Sequence, residues 1–163
     1  MINYFQLVEN IKSKNALCKT VDYTNKILTL LNYIAYPIFI AFVYFLKPEN
    51  LIQYLIFPFV SFVILSVFRK LFNAPRPYEK FGYKPIGKDK AKLGQSFPSR
   101  HVFSAFIIAL MIFDFCVPVG IIFLCLSVIL AITRVMCGVH FIKDVIAGML
   151  FAILVYITMI LVI

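Results

Sequence analysis

Charged side chains are scarce in this chain of 163 residues: seven Asp and Glu stand against sixteen Lys and Arg, together 14% of the sequence. A soluble domain is about a quarter charged and about half apolar. Here 63% of residues are apolar, 18 are Phe, and the mean hydropathy is +0.96. The shortage of charge excludes a soluble globular domain and a disordered chain alike. The four cysteines, Cys18, Cys116, Cys125 and Cys137, show neither a disulfide framework nor metal-ligand spacing, and are expected to be small, buried, reduced thiols. A cleavable signal peptide is not expected, because Glu9, Lys12, Lys14, Lys19, Asp22 and Lys26 interrupt the first 26 residues. Internal repeats and low-complexity tracts are absent. The net charge of +9 would suit a nucleic-acid binder, but those proteins spread basic residues over a water-soluble face. Nucleic acid is therefore excluded as a partner, and the bilayer takes its place.

What the chain has in quantity is long apolar runs, and a spanning helix needs about 20 such residues. Ile27–Leu46 is one run, closed by Lys47-Pro48-Glu49-Asn50, where the proline resists helix continuation. Leu51–Phe68 is a second, stopping at Arg69-Lys70. After a polar loop from Asn73 to Ser96, spans follow at Pro98–Val117, Val119–Thr133 and Val145–Ile163, with Asp114 near the far end of the third. The expected fold is all-α, a polytopic membrane bundle of about five transmembrane helices. Residues 1–26 form an N-terminal arm and residues 27–163 the transmembrane domain. In the arm, Ile2, Phe5, Val8 and Ile11 recur at helical spacing beside Asn3, Glu9 and Asn10. This pattern suits an amphipathic helix lying in the interface, the alternative being a frayed terminus. In the loop, Tyr78, Phe81 and Tyr83 alternate with Lys80 and Lys84, as in an aromatic belt at lipid headgroups.

Five spans put the arm, the long loop and the Arg134–Asp144 turn on one face. That face carries fifteen Lys and Arg against one, Lys47, on the other. The positive-inside rule turns the crowded face to the cytoplasm. The chain has only four Arg and two His, and all six lie at span ends on that face. Snorkelling to headgroups explains any one of these arginines, but not why every Arg and His shares a face.

Three patterns gather these residues. Arg69 and Arg76-Pro77 are separated by six residues; Pro98-Ser99-Arg100-His101 opens an apolar helix; and Thr133-Arg134 is followed by five residues, His140, three residues and Asp144. From residue type alone, three arginines offer planar bidentate donors to phosphate. Ser99 and the N–H groups beside it sit at a helix start, a natural anion site. His140 and Asp144, four apart, share a helix face.

In this order and spacing, the sequence resembles the type 2 phosphatidic acid phosphatase superfamily over roughly Arg69–Asp144. Arg69 stands where that family has Lys, with Lys70 one position off and also able to serve; Arg100 replaces a motif Gly and Thr133 a motif Ser. The resemblance implies a metal-independent phosphatase without cofactor. His140 would be the nucleophile that forms a phosphohistidine, Asp144 its orienting carboxylate and His101 the acid for the leaving alkoxide. Arg69, Lys70, Arg76, Ser99, Arg100 and Arg134 would bind phosphate. It implies a substrate among membrane lipid phosphates or diphosphates, of the phosphatidic acid, phosphatidylglycerol phosphate or undecaprenyl diphosphate type, and a multi-pass protein of a bacterial-type plasma membrane. Family analogy turns the site outward, against the charge count. A competing reading is a small transporter or binding protein for anionic solutes that uses the Arg cluster as a gate, and a third is a relative of the vanadium haloperoxidases.

Overall fold

The computed structural model describes residues 3–87 and 93–162. Ile2 of the arm, residues 88–92 of the long loop and Ile163 lie outside the described residues. Among the described residues seven α-helices form: α1 (Tyr4–Ser13), α2 (Asn15–Leu46), α3 (Leu51–Phe72), α4 (Pro77–Phe81), α5 (Arg100–Phe115), α6 (Val117–Met136) and α7 (Ile142–Val162). No strand occurs among the described residues.

Among the described residues, four segments are long and apolar enough to cross a membrane: α2, the stretch Pro48–Phe81 that contains α3, α6 and α7. Their apolar residues face outward, with Ile34, Ile38, Phe59, Ile64, Ile122 and Leu154 all exposed. In water such surface would be a liability, whereas hydrocarbon solvates it. α5 differs. Its 16 residues span about 24 Å, less than the roughly 30 Å of a hydrocarbon core. Val102, Phe103, Ala105, Ile107, Ala109 and Met111 are all buried, because the other helices surround it. The bundle is thus four lipid-facing helices around a shorter central one, close to the five spans expected.

α2 begins at Asn15 rather than at Ile27, since the polar arm continues the same helix and is braced by a Lys26–Asp22 ion pair at 2.6 Å. Its 32 residues reach about 48 Å, so its first turns project beyond the hydrocarbon. α5 and α6 are joined through Cys116 alone, with Pro118 in the first turn of α6. Gly120 is required there because a Cβ would collide with the backbone of Phe113. Gly148 in α7 serves the same end on the other side of α5, where a Cβ would come within 2.7 Å of the Ser99 carbonyl oxygen.

Two local expectations change. Tyr78 and Tyr83 are not an aromatic belt: both are buried against Tyr4, Val8 and Ile11 of α1, and Tyr83 donates to the Gly138 carbonyl at 3.0 Å. α1 buries Tyr4, Val8 and Ile11 in this cluster and leaves Phe5 exposed, so its apolar residues meet protein more than interface. The cysteines are free, but only Cys137 is buried; Cys125 is exposed on the outer side of α6, where lipid replaces protein as its apolar surroundings.

Candidate active site

The two ends of the bundle are chemically unlike. At one, Asp114 accepts hydrogen bonds from the hydroxyls of Tyr54 and Tyr156. At the other, the last turns of α3 and α6 and the starts of α5 and α7 bring the three motifs together.

The first motif comes from the last turn of α3. Of its two neighbouring cations, Arg69 is buried and Lys70 exposed, because the helix rotates them to different faces. Arg69 donates to the carbonyls of Gln95, Ser96 and Pro98, and so ties α3 to the segment that leads into α5. Asn73, in the left-handed region with φ of 42°, ends α3. Arg76 follows as the N-cap of α4, with its Nε donating to the Gly94 carbonyl at 3.0 Å. Glu79 Oε1 accepts from the N–H groups of both Arg76 and Gly94, at 3.2 and 2.7 Å. Two backbone stretches eighteen residues apart are thereby stapled.

The second motif caps α5. Ser99 is its N-cap, fully buried, with its N–H donating to the Asp144 carbonyl at 2.9 Å. Arg100 is half-buried, its guanidinium 5.6 Å from the Phe62 ring centre, on the lipid side of the site. His101 is half-buried and lines a cavity of about 140 Å³ with Arg100, Thr29, Asn32 and Ser104.

The third motif lies at the turn between α6 and α7. Arg134 is 3% exposed and donates through Nη2 to Thr29 Oγ1 of α2 at 2.8 Å. Gly138, at φ of +70°, turns the chain where a Cβ would meet Tyr83 and Val8 at 2.7 Å. His140 is then set beneath the surface, with its Nδ1 3.5 Å from Asp144 Oδ2. That same oxygen accepts from Ser96 Oγ at 2.5 Å and from the Phe141 N–H at 3.0 Å. Burial is the main force on the imidazole and lowers its pKa from 6.5 to about 4. The contact with Asp144 opposes that shift, while the charges of Arg76 and Arg134 add to it. Burial thus keeps the His140 imidazole neutral at physiological pH.

Three buried donors, one from each motif, lack an acceptor among the described residues: Arg69 Nε, Ser99 Oγ and Arg134 Nε. Buried polar groups are normally satisfied, so such a set suits an anion with several acceptor oxygens. Of the residues expected at the site, Arg69, Arg76, Ser99, Arg134, His140 and Asp144 are all buried; Ser99 and His140 both contact Asp144, while Arg134 is held by Thr29 and Arg76 by Gly94. Arg100 and His101 stand at its lipid-side edge, and Lys70 is turned away. The sequence reading missed Ser96, Glu79 and the α2 residues Thr29 and Asn32. The α2 pair was legible: Asn25, Thr29 and Asn32 fall on one helix face by their spacing, a polar stripe running into an apolar span. Ser96 and Glu79 gave no such signal, because their roles depend on the folding of the loop.

Known proteins share this fold. A solved structure of Aquifex aeolicus LpxE is similar with a TM-score of 0.71 and 22% identity over 86% of each chain. A transmembrane PAP2-type phosphatidylglycerolphosphate phosphatase from Bacillus subtilis is similar with a TM-score of 0.62 and 20% identity, covering 96% of this chain and 90% of that one. At these identities the likeness concerns the fold. No curated protein matches significantly. The PAP2 superfamily model matches residues 50–163, which hold all three motifs and every helix from α3 to α7. The chain belongs to the PAP2 superfamily, a family of phosphatases.

Proposed function

We propose that the chain hydrolyses a membrane lipid phosphate or diphosphate through a phosphohistidine at His140. The observation that carries this is that each of the three motifs holds a buried donor without an acceptor, Arg69 Nε, Ser99 Oγ and Arg134 Nε, and that the third also holds the buried imidazole of His140. Phosphoryl transfer asks for little more than positioning and charge stabilisation of the equatorial oxygens. Arg76 and Arg134 bind those oxygens. Arg69 contributes its charge and its unpartnered Nε–H while holding the 95–98 segment in place.

With Nδ1–H directed to Asp144 Oδ2, the lone pair of His140 Nε2 attacks phosphorus. The bond from phosphorus to its bridging oxygen breaks, and His101 donates a proton to that oxygen, which leaves as the lipid alcohol from a monoester or as the lipid monophosphate from a diphosphate. Water then attacks the phosphohistidine with His101 taking its proton, and inorganic phosphate leaves with His140 restored. The lipid chain stays between the helices on the side where Arg100 and Phe62 stand. The Lys and Arg excess on the site's end supports a cytoplasmic orientation. Labelling a Lys84→Cys variant, cleared of native cysteines, in intact cells tests it; modification by an impermeant reagent would reverse the assignment.

His140→Ala abolishes phosphate release from every lipid phosphate tested, with the protein still accumulating in the membrane. Retained turnover in that variant refutes the reading.

A further inference from the structure

Beside the phosphate site, a groove between α2, α3 and α5 leads away along the bilayer-facing surface. The 140 Å³ cavity at His101 shares Asn32, Tyr33, Phe62, Ser104 and Ile108 with a second cavity of about 510 Å³ that continues to Tyr36 and Leu55. The groove is apolar almost throughout, as a lipid chain requires. Ser104, Tyr33 and Asn32 are the polar residues common to both cavities, and the buried one among them is Asn32. It is 8% exposed, it lines both cavities, and its Nδ2 donates to the Leu28 carbonyl at 2.8 Å. That bond fixes the amide orientation and leaves Oδ1 buried without a donor among the described residues. The acceptor also has a fixed relation to the phosphate site. Asn32 is one turn along α2 from Thr29, the partner of Arg134, and a turn of three residues advances about 4.5 Å.

We infer that Asn32 reads the substrate: its Oδ1 accepts a hydrogen bond from a hydroxyl or amide N–H that the lipid carries within a few bonds of its phosphate. The inference rests on the phosphatase reading above and narrows it. A buried unpaired acceptor penalises any ligand that cannot supply a donor. Polyprenyl phosphates carry only hydrocarbon at that distance, and diacyl phosphatidic acid carries only ester acceptors. A glycerol phosphate with a free vicinal hydroxyl, or a sphingoid phosphate with its amide N–H and hydroxyl, has the donor in place. Among the lipid candidates that the sequence suggests, phosphatidylglycerol phosphate alone meets the condition.

The test compares lysophosphatidic acid with its 2-deoxy analogue, which lacks only the hydroxyl, on the purified full-length protein. The wild type favours the hydroxyl-bearing lipid about tenfold in kcat/KM, chiefly through KM. In Asn32→Leu this ratio falls to about one. Should Asn32→Leu not accumulate, Asn32→Ala removes the amide without added volume and gives the same readout. Equal kcat/KM for the two lipids in the wild type, or a preference that survives removal of the amide, overturns the inference while leaving the phosphatase reading intact. Release of phosphate from neither lipid, with turnover of phosphatidic acid or a polyprenyl diphosphate, overturns the inference alone; release from none of the four overturns both.

Discussion

Ser96 Oγ donates to Asp144 Oδ2 at 2.5 Å, joining residues 48 positions apart, and the same oxygen stands 3.5 Å from His140 Nδ1. Ser96 belongs to no motif, yet it holds the carboxylate that orients the proposed nucleophile. Ser96 is in turn held by Arg69, which donates to its carbonyl at 3.3 Å. A chain of contacts thus runs from α3 through the loop to α7.

Ser96→Ala therefore lowers kcat about tenfold with KM little changed, because Asp144 keeps its Phe141 N–H partner but loses one of two anchors. Asp144→Asn costs about a thousandfold, since an amide in that place favours the wrong imidazole tautomer. Steady-state kinetics on a detergent-solubilised lipid phosphate measure both. An unaltered kcat in Ser96→Ala would show that the serine does not act on the His140–Asp144 pair.

The adjacent cations Arg69 and Lys70 should behave oppositely. Arg69→Ala strips three carbonyls of their donor and lowers thermal stability and activity together, by about 3 kcal/mol in stability for a buried charged hydrogen-bond hub. Lys70→Ala, on the exposed face of α3, keeps activity within about twofold. Thermal unfolding and phosphate release on both variants decide the matter, and a larger loss at Lys70 would reverse the roles.

The buried imidazole makes stability depend on pH in a defined window. His140 titrates at about 4 in the folded protein and near 6.5 when unfolded. Between these values the unfolded chain binds the extra proton, so folding weakens as pH falls from 6.5 to 4 and is indifferent to this residue above that window. The full effect is about 3 kcal/mol. The wild type accordingly loses more Tm than His140→Gln over this window, while the difference between the two proteins stays constant above pH 6.5. Parallel Tm profiles throughout would contradict the burial argument.

Much of this was legible beforehand because the bilayer simplifies the code. Apolar runs such as Leu51–Phe68 and Val145–Ile163 announce their helices, and ionisable residues within that background stand out, so the order and spacing of Arg69, Arg76, Arg134, His140 and Asp144 carry the family resemblance that gathers them. The ends of elements were harder to read. α2 starts at Asn15 because helical hydrogen bonding does not stop where hydropathy does. Pro98–Val117 looked like any other span, yet α5 is the enclosed one, a distinction set by which neighbours surround it rather than by composition. The choice between Arg69 and Lys70 depended on the rotation of a single residue about α3, which hydropathy does not encode. Ser96 and Glu79 were invisible because their partners, Asp144 and the Gly94 N–H, meet them only through tertiary structure.

The central claim is that His140 carries the phosphoryl group. Protein mixed with a lipid phosphate radiolabelled at phosphorus, quenched in base within a turnover and digested, should yield label on the peptide that contains His140. That label should be stable in alkali, labile in acid and absent from His140→Ala. Phosphate released from the wild type with no trapped adduct, or label recovered on another residue, would contradict the account.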